Sequence, residues 1–245
     1  MTRLRRLALA GALLFSGVAQ AAPSRPRNLA RAQVTVRPFF NALAAGGGAI
    51  SDMTLEYYFG LPLKVGVEMG PTALAVQPSS SGAVASLRVG GAFVTDYLEV
   101  GAAVGTRLEN LARSGMSLAS RLRLGALDGL NFQITLGHAL IRNYYTGAER
   151  VALSGVTTTL EVPVLARLAL VVDGGFSFDT WLYGTAGVRQ ILVGNGGPGT
   201  WMMRVGFGVA WVLDRFPCQY LHPDRCDNAA WGLGPTIAAG VESRF

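Results

Sequence analysis

The chain has 245 residues, of which 50% are hydrophobic and only 15% are charged, and its formal net charge is +6. Soluble domains carry about 25% charged residues, so an ordinary soluble composition is excluded. After residue 21, no stretch approaches the roughly 18 consecutive apolar residues of a membrane helix. The chain is therefore apolar on average but has no long apolar block. Apolar residues that alternate with polar ones give such a composition, and this is typical of a transmembrane β-barrel.

The N-terminal segment has the three parts of a secretory signal peptide. The basic head MTRLRR precedes the apolar run LALAGALLFSGVA and an A-x-A arrangement that ends at Ala21. We predict cleavage after Ala21, so that residues 1–21 form the signal peptide, 22–29 a lead-in and 30–245 the barrel. No cysteine lies near the cleavage point, which argues against a lipid anchor.

Cleavage also changes the charge of the mature chain. Removing Arg3, Arg5 and Arg6 lowers the formal charge from +6 to +3. A nucleic-acid partner or a polybasic membrane surface therefore loses its main support, and we predict no nucleic-acid binding.

Polar and apolar side chains alternate with period 2 along the chain, which predicts β-strands. In ARAQVTVRPF, Arg31 and Arg37 lie on one face, and Val34 and Val36 lie on the other. DMTLEYYF, LKVGVEM and the closing GLGPTIAAGVESRF repeat the pattern. We predict an all-β fold, an antiparallel up-and-down transmembrane barrel.

The alternating segments number twelve by our count. The predicted tight breaks lie near residues 60–62, 95–96, 127–129 and 163. The predicted longer connections lie at residues 41–49, 70–82, 109–115, 143–150 and 214–231. Alternation keeps its phase through Pro62 and Pro163, so merging strands at both gives ten as the alternative. Twelve is favoured because merged strands would run to about 20 residues, where roughly 9–11 suffice, and because Pro cannot donate to a central ladder.

Alternation alone does not say which face is outside. A soluble barrel that binds an apolar ligand turns its apolar face inward and needs about 8 strands. Twelve strands enclose an interior too wide for small apolar residues to fill, so we expect the apolar face to meet lipid. Aromatic residues near strand ends are predicted to form girdles at the membrane interfaces. They are Phe39, Phe40, Tyr57, Tyr58, Tyr144, Tyr145, Trp181 and Trp201.

Taken together, the signal peptide, the alternating strands and the closing GVESRF resemble those of bacterial outer-membrane β-barrel proteins of the porin-like superfamily. The resemblance implies a location in the outer membrane of a Gram-negative envelope, surrounded by outer-membrane lipid. It also implies that Phe245, with Val241, Glu242 and Arg244 before it, is the signal read by the barrel-assembly machinery. It does not indicate a subfamily.

Two cysteines, Cys218 and Cys226, lie in DRFPCQYLHPDRC with seven residues between them. An oxidising compartment favours a disulfide. A metal site that adds His222 and Asp224 is the alternative, weakened by its single histidine. We predict the disulfide, with no metal and no cofactor.

His138 is the remaining histidine and the starting point for an enzyme hypothesis. An outer-membrane phospholipase pattern would place Ser two residues later, where this chain has Leu140. We therefore predict no catalytic residue. A hydrolase of the lipase, deacylase or protease type stays the alternative, because a site assembled from distant strands leaves no motif.

Ten cations and five acids lie on the polar faces. The cations are Arg31, Arg37, Lys64, Arg88, Arg107, Arg121, Arg123, Arg189, Arg204 and Arg244. The acids are Asp52, Glu56, Glu68, Glu99 and Glu242. The excess predicts a net-positive interior and a small pore or pocket that prefers anions, as rings of Arg or Lys do. A salt-bridge network that packs the barrel shut is the alternative.

We expect an integral outer-membrane barrel that acts as a small pore or as a structural or binding protein. The alternatives are an outer-membrane enzyme on the same scaffold and a soluble secreted barrel that binds an apolar ligand.

Overall fold

The structure is a computed structural model that describes residues 28–41, 46–76, 81–109, 113–142, 149–177, 181–213 and 231–245. These residues form twelve β-strands and no helix. The strands are β1 (Leu29–Asn41), β2 (Gly46–Tyr58), β3 (Leu63–Val76), β4 (Ser81–Val94), β5 (Leu98–Glu109), β6 (Arg113–Gly125), β7 (Asn131–Arg142), β8 (Glu149–Leu165), β9 (Leu168–Phe176), β10 (Trp181–Val193), β11 (Trp201–Leu213) and β12 (Trp231–Arg244). In this part of the chain no helix has the length and apolarity needed to cross a bilayer.

Each strand pairs antiparallel with its neighbours in sequence, and β1 pairs with β12 to close the barrel. At the seam, the amide of Phe245 donates to the carbonyl of Ala30 at 2.9 Å, and the amide of Ala30 donates back at 3.1 Å. The predicted all-β barrel of twelve strands is confirmed, and the ten-strand alternative is excluded. We call the end that holds Ala30 and Phe245 the lower end.

The two prolines that left the strand count open lie in different settings. Pro62 lies between β2 and β3, as predicted. The break predicted at Pro163 is wrong, because β8 runs through it to Leu165 and the turn falls at Ala166 and Arg167. The ladder with β9 shifts register between Pro163 and Leu165, so the missing donor falls at an irregular strand end, where proline is tolerated.

The predicted contrast between long and short connections holds less well. Strands extend into three of the connections predicted as long, since β2 begins at Gly46, β3 reaches Val76 and β6 begins at Arg113. Residues 42–45, 77–80 and 110–112 are what remains between those strands. The glycine-rich segment AGGGAI was predicted to lie in a long connection, but its glycines belong to β2.

The signal peptide predicted at residues 1–21 lies outside the described residues, as do Cys218, Cys226, His222 and Asp224. The cleavage site and the disulfide stay predictions. β1 begins at Leu29, the last residue of the predicted lead-in.

The outer surface of the barrel is apolar along the strands. Val89 is 59% exposed, Val104 is 51% exposed and Phe207 is 65% exposed. The intervening residues point inward and are largely buried, among them Arg123 and Arg244 at 2% and 1% exposure. Apolar-out, polar-in alternation is the arrangement of a membrane barrel, and it is opposite to that of a soluble barrel with an apolar core.

Some of the aromatic residues predicted for the girdles lie on the outer surface, and others do not. Phe40, Tyr57 and Trp201 are exposed on the outer surface, at the ends of their strands. Three other predicted members point inward and are at most 4% exposed: Phe39, Tyr58 and Trp181. Tyr144 and Tyr145 lie outside the described residues.

Candidate functional site: the barrel interior

Small residues line the inner face of β3, β4 and β5. A Cβ added at Gly90 would lie 2.5 Å from the Cβ of Ala103, and one at Gly101 would lie 2.7 Å from the Cβ of Ala92. Larger side chains therefore do not fit at these two glycine positions. The space beside them is bordered by long charged side chains, which come from β3 and β5 themselves and from β2 and β6.

Glu56 on β2 is the acid that gathers most of these charges. It accepts hydrogen bonds from Lys64 Nζ at 2.8 Å and from Arg121 Nη1 at 2.7 Å. Arg31 Nη1 lies 3.5 Å from its Oε2, and the Tyr58 hydroxyl donates to the same oxygen at 3.2 Å. Glu56 is 5% exposed, so these partners replace the water that its carboxylate would otherwise bind.

Arg121 crosses the interior. It lies on β6, but it binds Glu56 on β2 and, through Nη2 at 2.5 Å, Glu68 on β3. β6 is not a neighbour of either strand, so the contact spans the barrel rather than following its wall. Arg88 of β4 donates to the other oxygen of Glu68 at 2.6 Å. We call these contacts the Arg121 bridge.

A second bridge crosses nearer the upper end. Arg37 on β1 lies 2.5 Å from Asp173 on β9, and Arg204 on β11 lies 2.6 Å from the other carboxylate oxygen. The Thr185 hydroxyl also donates to Asp173. Arg37 binds Asp52 as well, at 2.9 Å. Because β1 and β9 are not adjacent in the barrel, this Asp173 bridge also spans the interior.

The turn between β6 and β7 folds across the lower mouth. Asp128 in this turn binds Arg244 of β12 at 2.7 and 2.8 Å, although β12 lies on the opposite side of the barrel. Arg189 of β10 lies 3.6 Å from Asp128. Leu127 of the same turn packs against an apolar cluster that includes Leu29. The turn therefore narrows the lower mouth.

Asp128 lies outside the strands, and its ionisation has a clear physical basis. Burial disfavours its charged form, but the hydrogen bond and positive charge of Arg244, helped by Arg189, outweigh that effect. The pKa of Asp128 is held below its ordinary value. Since the side chain is 45% exposed, water screens this interaction.

Near the upper end, apolar side chains fill one side of the interior. The cluster comprises Phe39, Ile50, Ala73, Trp181, Tyr183 and Ala210. Arg37 lies 4.2 Å from the centre of the Tyr183 ring, a cation–π contact that joins the cluster to the Asp173 bridge.

An open column remains between these side chains. A cavity of about 130 Å³ extends from Leu127 and Asn131 at the lower end to Tyr183, and residues of β1 to β8, β10 and β11 line it. A smaller cavity of about 30 Å³ lies above it, and both are lined by Arg88, Thr135 and Thr157. The lumen is therefore neither an open tube nor packed throughout.

All the charged residues predicted for the polar face point into the barrel and are partly or fully buried: Arg31, Arg37, Asp52, Glu56, Lys64, Glu68, Arg88, Glu99, Arg107, Arg121, Arg123, Arg189, Arg204, Glu242 and Arg244. Arg107 lines the smaller cavity beside Arg88. Glu242 accepts a hydrogen bond from Arg31 at 2.9 Å and one from Arg244 at 2.8 Å.

Three acids that the sequence analysis missed also bind these cations, two from the interior and one from the lower mouth. Asp173 forms the second bridge, Glu161 binds Arg189 at 3.0 Å, and Asp128 binds Arg244. Asp173 had a signal, since Leu170 and Val172 alternate with it on β9. Asp128 had none, because a turn has no period. When these three acids are counted, the cations and acids that form ion pairs are almost equal in number.

The ion pairs between described residues join nine cations and eight acids. The cations are Arg31, Arg37, Lys64, Arg88, Arg121, Arg123, Arg189, Arg204 and Arg244. The acids are Asp52, Glu56, Glu68, Glu99, Asp128, Glu161, Asp173 and Glu242.

His138, the starting point of the enzyme hypothesis, lies on β7. His138 pairs with Leu118 of β6 and has no side-chain hydrogen bond or ion pair there. No group of three His, Cys, Asp or Glu side chains in these ranges is placed to hold a metal ion.

No protein-family model matches the sequence, and no curated protein matches it. Among solved structures, the chain is similar to OmpF of Salmonella typhi in complex with daunomycin, with a TM-score of 0.30 and 10% sequence identity. The match covers 89% of this chain and 97% of that one. A likeness this low carries no argument about function.

Proposed function

We propose that this chain is an integral outer-membrane β-barrel that forms a small pore, much narrower than a twelve-strand scaffold allows. The observation that carries the proposal is the reversal of polarity across the wall, with an apolar outer surface around an interior of ion-paired side chains. The envelope location, the surrounding lipid and assembly through the closing Phe245 are parts of the same proposal.

Support for the membrane comes from the exposed strand residues. A soluble barrel would leave side chains such as Val89, Val104 and Phe207 in water, all of them at least half exposed. Exposed apolar area on this scale marks a surface that meets lipid or protein. The soluble alternative also needs an apolar ligand cavity, whereas charged and hydroxyl groups line the larger cavity here.

Support for a narrow pore comes from the two bridges and the column beside them. Barrels with 16–18 strands leave an aqueous channel, and small barrels of about 8 strands are filled by side chains. This barrel lies between those limits, with bridges that cross the interior and one column left open. The enzyme alternative gains no support, since His138 lacks a partner in the described residues.

Charged substitutions on the outer face test the membrane location. Val104→Arg places a charge at the middle of β5 and should cost about 2–4 kcal/mol of unfolding free energy in lipid vesicles. Leu61→Arg, in the turn between β2 and β3, is the matched control and should cost close to nothing, although Leu61 is 66% exposed. Equal tolerance of both changes, together with a mature chain that stays soluble without detergent, would refute the membrane proposal.

Conductance in planar bilayers tests the pore. We expect small steps that require the folded, heat-modifiable form of the purified protein. A folded barrel that admits neither ions nor small solutes would be a structural or binding protein, and the pore proposal would then be wrong.

A further inference from the structure

Viewed along the barrel axis, the two bridges divide the interior into three sectors. The Asp173 bridge, from β1 to β9, passes in front of β10, β11 and β12. The Arg121 bridge, from β6 to β2 and β3, passes in front of β4 and β5. β7 and β8 lie between them, and no ion pair among the described residues crosses in front of the middle of these two strands.

The wall of this third sector has a different chemistry from the others. Gln133 and Thr135 of β7 pair with Thr159 and Thr157 of β8, and all four line the larger cavity. In the described part of the chain, these four side chains make no side-chain hydrogen bond. Their hydroxyl and amide groups are therefore available to water or to a solute.

Opposite this wall, the two acids at the centre of the bridges already have partners. Glu56 is bound by Arg31, Lys64 and Arg121, and Asp173 is bound by Arg37 and Arg204. An ion that entered the column would lose its hydration and compete with these pairs. An uncharged solute avoids that cost and can exchange its hydrogen bonds with water for bonds to the four side chains.

The dimensions also favour a small solute. The larger cavity measures about 130 Å³, which accommodates a few water molecules, at about 30 Å³ each, or a molecule the size of urea or glycerol. Above it, Gly137 and Gly155 carry no side chain, so the column continues into the smaller cavity toward the upper end.

We propose that the column along β7 and β8 is the binding site and route for small uncharged hydrogen-bonding solutes, of the class of urea and glycerol, in preference to anions. This inference rests on the proposed function, because it requires a barrel embedded in a membrane.

Two measurements test this assignment. Stopped-flow swelling of proteoliposomes reports the passage of urea or glycerol, and reversal potentials in a KCl gradient report the passage of ions. The double variant Thr135→Val, Thr157→Val keeps the volume of the wall and removes two hydroxyls. We expect its urea and glycerol rates to fall roughly three- to tenfold, from the usual value of a hydrogen bond. Thr158→Val is the matched control, since Thr158 lies on the outer face of β8 and donates to the Gly174 carbonyl. It should leave both rates unchanged.

The outcomes separate this inference from the pore proposal. Swelling that is unchanged in the double variant, or a pore that passes chloride and excludes urea, would overturn the inference and leave the pore intact. Wild-type protein that folds in the vesicles but passes no solute and no current would overturn the pore proposal itself.

Discussion

Replacing Asp173 with asparagine removes the charge that holds the upper bridge. Asp173 is 2% exposed and sits between Arg37 and Arg204, at 2.5 and 2.6 Å. Arg37 keeps Asp52 as a partner at 2.9 Å, whereas Asp173 is the acid that binds Arg204 among the described residues. The variant therefore leaves one buried guanidinium without a counter-charge.

Removing one partner of a buried ion pair costs about 3–5 kcal/mol. Asparagine still accepts a hydrogen bond, so we expect a value near the lower limit, about 3 kcal/mol. The measurement is equilibrium unfolding in urea with the barrel in lipid vesicles, followed by tryptophan fluorescence. Asp96→Asn, at an exposed position between β4 and β5, is the control and should change stability by less than about 0.5 kcal/mol.

A third variant separates charge from packing. Changing Arg37 and Arg204 to Met together with Asp173→Leu replaces the bridge by apolar side chains, which often leaves stability near or above that of the wild type. The triple variant should therefore be more stable than Asp173→Asn alone. If Asp173→Asn is as stable as Asp96→Asn, the bridge does not hold the barrel and the division of the interior loses its basis.

The remaining predictions concern the lower mouth, the seam and the long connection. Asp128→Asn should raise conductance, because it releases the turn from Arg244. Since the pKa of Asp128 is lowered in the folded barrel, the contact is intact above the ordinary aspartate pKa of about 3.9 and is lost as the pH falls through the lowered value. Wild-type conductance should therefore rise only below about pH 3.9, and Asp128→Asn should show no such rise. Phe245→Ala keeps the backbone bonds to Ala30 and should reduce the amount of barrel assembled in cells, while the assembled fraction keeps wild-type unfolding behaviour. Cys218 and Cys226 should resist alkylation until a reductant is added, and labelling of both without it would contradict the disulfide.

Much of this architecture could be predicted from the sequence because a strand has period 2. The parity that placed Arg31 and Arg37 on one face of β1 also determines which residues enter the barrel. The same rule would have corrected the girdle prediction, since Phe39 shares its parity with Arg37, and Tyr58 shares its parity with Glu56. Proximity to a strand end was the weaker criterion.

The bridges could not be predicted in this way. Alternation gives the face of Arg121 but not its partners, which lie on strands that are distant in sequence and across the barrel. Asp128 is the clearest case, because it lies in a turn and binds Arg244, 116 residues away in sequence. Such contacts depend on barrel diameter and strand stagger, and neither is encoded in a single segment.

The inner walls nevertheless bear on where long side chains cross the interior. Long side chains cross where the wall they lie against is small, as over Gly66, Gly90 and Gly101 on β3 to β5. Gly206, Gly208 and Gly240 provide the same space on β11 and β12. Along the larger cavity, β7 and β8 instead carry Gln133, Thr135, Thr157 and Thr159, whose side chains are too short to cross the interior. Because buried ion pairs gain little net stability after desolvation, their main effect here is to cross the interior and narrow it.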